Sequence, residues 1–83
     1  MTRLIADVKP KLGDLRKRLN EGRETPISIA DIAQRAKLEI GFAYTVDVGG
    51  YVTEEIATKV VRAFNILSHK NISLSDIQVK VIK

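Results

Sequence analysis

Few side chains in this sequence could do acid–base or nucleophilic chemistry. His69 is the only histidine and cysteine is absent, so histidine or cysteine clusters cannot form a metal site within one chain, and thiolate nucleophiles and disulfides are excluded. Glu54 and Glu55 are adjacent, point in different directions on a helix, and suit the positive end of a helix dipole better than a paired-carboxylate site. No Ser/His/Asp order, phosphate-binding glycine loop or zinc-ligand spacing occurs. His69 reads as a solvated loop residue and Tyr51 as a loop anchor. These residues point to a binding protein rather than an enzyme, and imply no cofactor, metal or small-molecule substrate.

The remaining chemistry is charge. Fourteen Lys and Arg against ten Asp and Glu give a net charge of +4, a mild attraction for a polyanion that is non-specific by itself. Eighty-three residues suit one small domain. With 45% hydrophobic and 29% charged residues, the expected product is a soluble globular chain. Apolar runs fall far short of the roughly 20 residues that cross a bilayer. The start Met1-Thr2-Arg3-Leu4-Ile5-Ala6-Asp7 places an acid where a signal peptide needs an apolar stretch. The expected setting is cytoplasmic.

Four helical segments must position any binding surface. Leu12, Leu15 and Leu19 recur at helical spacing over residues 10–20, with Pro10 suited to the first turn. Gly22, Thr25 and Pro26 then mark a polar loop over residues 21–27. Ser28, with Asp31 three positions on, caps a second helix whose inner face is Ile29, Ile32, Ala33 and Ala36. A short third helix runs from Ile40 to Val48, with Ala43 and Val46 inward and Phe42 as a further inner candidate, and Gly49-Gly50 ends it. Thr53 caps the fourth, whose Ile56, Val60, Phe64 and Leu67 share a stripe. Turn formers follow between Asn65 and Ser75. The alternation Ile77-Gln78-Val79-Lys80-Val81 predicts a strand over residues 77–82, although a last helix through Leu74, Ile77 and Val81 also fits. Such a strand needs a partner, either residues 3–8 or the same strand in a second subunit.

The segment from Asp31 to Gly50 has the spacing of two helices joined by a short turn. Small Ala33 allows close approach, Leu38 plugs the turn, Ala43 and Val46 pack inward, and a glycine follows. This resembles the Cro/lambda-repressor (Xre-type) helix-turn-helix family, and the likeness extends through residues 12–67, with 53–65 similar to its fourth helix. The implied architecture is mainly α: a lambda-repressor-like four-helix domain over residues 1–83, with helical core 10–67 and a C-terminal strand or dimerisation segment at 68–83.

The resemblance implies a sequence-specific transcriptional regulator, repressor-like and homodimeric, that places its third helix in the major groove of double-stranded DNA. Ile40, Gly41, Tyr44 and Thr45 would then face the bases. Arg23, Ser28, Arg35, Lys37 and the backbone of Gly49 and Gly50 would meet phosphates. An arginine of the first helix would pair with an acid near the end of the third, with Arg16 and Asp47 at the matching positions and Arg18 the alternative. Ile77, Val79 and Val81 would form the dimer contact. The base-facing set contains none of the Arg, Lys, Asn or Gln residues that read G or A in bidentate fashion. Lys37 occupies the turn position usual for glycine, Ile29 replaces a usual polar residue, and Glu39 stands where Ser or Thr is a common cap. The same fold also admits a protein-interaction or antitoxin-like module docking through Ile40, Phe42 and Tyr44, or an architectural DNA-binding protein without sequence preference.

Overall fold

The computed structural model describes residues 9–82. In chain order these form α1 (Leu12–Asn20), α2 (Ile29–Ala36), α3 (Ile40–Asp47), β1 (Tyr51–Thr53), α4 (Glu54–Ser68), a single 3-10 turn (Leu74–Asp76) and β2 (Lys80–Ile82). The result is mainly helical, with a small two-stranded parallel sheet. Among these residues no helix is long and apolar enough to cross a membrane.

Local chemistry explains where most helices begin. The Ser28 hydroxyl accepts from the Asp31 N–H at 3.0 Å while the Asp31 carboxylate accepts from the Ser28 N–H at 2.9 Å, a reciprocal capping box. Thr53 accepts from the Ile56 N–H at 3.3 Å, and Glu54 and Glu55 occupy the first turn of α4, where the helix dipole favours negative charge. Lys11, before α1, has no side chain suited to capping; its N–H instead donates to the Asp14 carboxylate at 3.1 Å.

Apolar residues at helical spacing meet in one buried cluster. Leu12 from α1, Ile32 and Ala33 from α2, Ala43 and Val46 from α3, and Val60 and Phe64 from α4 are all buried. Leu15, Leu19, Leu38 and Leu67 pack partly buried against them. Phe42 departs from its expected inner position: at 41% exposure it stands out from α3, because it lies about 100° round the helix from Ala43, off the stripe that Val46 shares.

The C-terminal segment differs most from expectation. The strand covers only Lys80–Ile82, preceded by the 3-10 turn rather than a helix. Its partner is β1, in parallel register Tyr51 to Lys80, Val52 to Val81 and Thr53 to Ile82. Neither anticipated partner is the one observed; residues 3–8 lie outside the described residues. Parallel strands need a long crossover, and α4 is that crossover. The Lys80 N–H also donates to the Gly50 carbonyl at 3.1 Å, and the Gln78 N–H to the Pro10 carbonyl at 2.8 Å. Lys80 Nζ stands 5.1 Å from the centre of the Tyr51 ring, a cross-strand cation–π contact. Tyr51, expected to anchor a loop, is 67% exposed on β1.

The turn formers from Asn65 onward do not interrupt α4, which runs one residue past Leu67, the last residue of its stripe. The helix continues to Ser68, because these side chains bond to backbone without interrupting it. Ser68 donates to the Phe64 carbonyl at 2.6 Å, and Asn65 reaches forward to Ile72. His69 then stops the helix in the left-handed conformation, at φ 60°.

Candidate nucleic-acid interface

The site is built on α2, a turn of three residues, and α3. Lys37 makes that turn possible by adopting φ 61°, ψ 44°, and its N–H bonds back to the Gln34 carbonyl at 3.2 Å. A side chain in this region costs on the order of 1 kcal/mol relative to glycine, which the close packing of α2 on α3 through Ala33 and Ala43 offsets. Glu39 precedes α3 in extended conformation without making a side-chain cap.

A buried ion pair holds α3 from behind. Arg16 Nε donates to one carboxylate oxygen of Asp47 at 3.0 Å and a terminal nitrogen donates to the other at 3.1 Å; the remaining terminal nitrogen reaches the Ile27 carbonyl at 3.2 Å. The Arg16 side chain is 13% exposed and that of Asp47 6%, whereas Arg18 is exposed. The negative end of the α3 dipole disfavours a carboxylate at Asp47, and the bidentate guanidinium compensates for it. Close approach here requires Gly13: a Cβ at that position would stand 2.7 Å from both the backbone oxygen and a carboxylate oxygen of Asp47. Sequence reading missed this residue. A glycine inside a leucine-periodic helix is the signal that could have found it.

The outward side of α3 carries Ile40 at 56% exposure, Tyr44 at 55% and Val48 just beyond at 41%. Gly41 lies among them with open space above it. Asp47 is the one charged residue of α3 and is turned inward, so this outer face is uncharged. Thr45 is only half exposed. Its hydroxyl donates to the Gly41 carbonyl at 2.8 Å, so it can offer a base edge lone pairs but no proton.

The proposed phosphate contacts separate into three groups. Ser28 is exposed at the start of α2, with its N–H committed to Asp31. Arg23 is half-buried and donates through Nε to the Thr25 carbonyl at 3.2 Å, leaving its terminal nitrogens for other partners. Arg35 and Lys37 meet Lys59 and Arg62 of α4 around a shallow depression of about 280 Å³, a grouping that sequence spacing did not reveal.

Gly49 and Gly50 need correction. Their N–H groups donate to the Val46 and Thr45 carbonyls at 3.1 and 2.8 Å, satisfying the end of α3 instead of facing an anion. Gly49 is buried with φ 79°, and a Cβ there would stand 3.1 Å from the Gln78 carbonyl oxygen; its role is to close α3 against the segment leading to β2.

Of the dimer set, Ile77 needs correction. Ile77 is 3% exposed within the chain's own core, because the 3-10 turn before it folds the segment back onto α4. Val79 packs partly against that core, and Val81 pairs with Val52 of β1.

No family model matches this chain, and neither the curated proteins nor the solved structures contain a match to it. Among the described residues no group of three or more carboxylates or imidazoles is placed to hold a metal ion.

Proposed function

We propose that this protein is a helix-turn-helix regulator of lambda-repressor-like architecture, binding double-stranded DNA as a homodimer with α3 in the major groove. The observation that carries the reading is the α2–turn–α3 unit, clamped from behind by Arg16 and Asp47 while Ile40 and Tyr44 stand outward. A groove-reading helix has to be held rigidly from one side and bare on the other. Ile40 supplies apolar contact for thymine methyl groups and Tyr44 a hydroxyl for a base edge or phosphate. Thr45 accepts, and Gly41 lets the backbone approach closely. Arg23 and the Ser28 hydroxyl meet phosphates, and Arg35 and Lys37 add positive potential at longer range. Two copies of α3 would lie about one helical turn of DNA apart, roughly 34 Å. Such a protein acts in the cytoplasm, on the nucleoid, and is not an enzyme.

A second reading has its own observation. The uncharged outer face of α3, with Phe42 also exposed, suits an apolar protein partner.

Selection of binding sites from a random duplex library at near-physiological salt, using wild type, Tyr44→Ala and Ile40→Ala, separates these readings. The expected result is a near-palindromic site whose enrichment is lost or altered in the variants, with affinity falling steeply as salt rises. Salt-sensitive binding without a preferred sequence would replace the reading with an architectural role. Absence of binding would leave the protein-partner reading.

A further inference from the structure

The described surface carries a second feature, on the side formed by the outer face of α4. The depression framed by Arg35, Lys37, Lys59 and Arg62 adjoins a groove of about 560 Å³ between α4 and the loop after it, which Lys70 and Ile72 also line. Arg62 and Ile66 belong to both, so the two form one continuous trough from the turn after α2 to the loop after α4. Ile66 is 46% exposed at its middle. Five cations line the trough, and neither an aspartate nor a glutamate does. Glu55 pairs with Lys59 at 3.4 Å, but its own side chain is 78% exposed, and a pair so solvated leaves Lys59 available to a better partner.

This combination selects its occupant. A purely electrostatic surface for a nucleic-acid backbone has no need of an apolar floor, and a purely apolar interface has no need of five cations. An amphipathic helix with carboxylates flanking an apolar stripe satisfies both, placing its apolar side chains over Ile66 and Ile72 and its carboxylates beside the rim. We infer that the trough across α4 is a docking site for an acidic amphipathic helical segment of a partner protein, distinct from the α3 face. The trough shares no residue with the outer face of α3, and only Arg35 and Lys37 lend charge to both surfaces.

The test is selection of randomised helical peptides, displayed on phage, against the full chain. Enriched peptides would then be synthesised with a fluorescent label and titrated by anisotropy against wild type, Arg62→Glu and Ile66→Ser. The expected result is enrichment of sequences with apolar residues at i, i+3 and i+7 flanked by Asp and Glu. Their affinity should fall at least tenfold in each variant, while thermal unfolding stays as in wild type and Ile66→Ser keeps wild-type binding to duplex DNA. Both substituted side chains are exposed, so the fold should tolerate the changes. Three outcomes would overturn the inference: enrichment of neutral or basic peptides or none at all, affinity indifferent to both substitutions, or equal binding of a polyglutamate chain lacking apolar residues. Loss of duplex binding in Arg62→Glu parallel to loss of peptide would reassign the trough to nucleic acid. Failure of duplex binding in wild type, with the peptide result intact, would remove the proposed DNA function and leave this inference standing.

Discussion

Two loops in this molecule are closed by the same device. Asn20 donates to the Ile27 carbonyl at 2.9 Å and accepts from the Ile27 N–H at 2.8 Å. Asn65 does the same to Ile72, at 2.8 and 3.1 Å. In each case an asparagine amide imitates a peptide group and pairs with a residue seven positions later, as an adjacent strand would. The surroundings differ. Ile27 is buried at 4% exposure, and its carbonyl also receives Arg16, which holds Asp47 of α3. Ile72 is half-buried and its clamp ties only to α4. The first loop leaves α1 through Gly22 at φ 83°, which has no Cβ to strain, whereas the second leaves α4 through His69 at φ 60°. One loop is therefore part of the lock that orients α3, and the other is a local closure beside the cationic trough.

This contrast orders the expected effects. Arg16→Ala should be the most damaging, at about 3 kcal/mol in urea unfolding, because it leaves a carboxylate buried without its partner and releases the first loop as well. A loss below about 1 kcal/mol would mean that Asp47 finds other solvation. Asn20→Ala should cost about 2 kcal/mol, since the buried Ile27 N–H loses its acceptor. Asn65→Ala should cost about half as much, because water can reach Ile72. Equal losses would show that burial does not distinguish the two clamps.

His69→Gly should raise stability by about 0.5 to 1 kcal/mol, by removing left-handed strain that Gly22 avoids in the first loop; thermal unfolding reads the sign directly. The smallest effect belongs to Asp76, whose carboxylate accepts from the Ser73 N–H at 2.8 Å and from its hydroxyl at 3.1 Å. These bonds, the backbone one foremost, hold its pKa below the ordinary 3.8. A depressed carboxylate pKa contributes stability that is present above the ordinary value and lost as pH falls through the lower folded one. An NMR titration should therefore show Asp76 protonating below 3.8, and Ser73→Ala should move that midpoint upward.

Much of the helical frame was legible from spacing. Leu12, Ile32, Val46 and Phe64 sit on stripes whose period marks a helix, and their burial follows from that period. The Ser28 and Thr53 caps were legible too, because a cap is satisfied within three residues. The candidate α3 face was readable as residue identities, but not the fact that Thr45 commits its proton to Gly41. Neither was the commitment of the Gly49 and Gly50 N–H groups to the end of α3. β1 was missed because three residues between a glycine pair and a helix cap carry little period of their own, and they become a strand only when β2 arrives beside them.

Taken alone, the sequence determined the properties that depend on near neighbours: helical stripes, two caps, the position of the turn between α2 and α3, the excess of positive charge, and the absence of thiol chemistry. The tertiary structure decided what depends on contacts distant in sequence. It selected β1 as the partner of β2, drew Ile77 into the core, set Gly13 against Asp47, and gathered Arg35 and Lys37 with Lys59 and Arg62 around an apolar floor. The physical reason is the range of the forces. Helix periodicity and capping act across one turn, whereas strand pairing, close helix approach and a composite surface exist only once α4 has folded back and brought separate segments together.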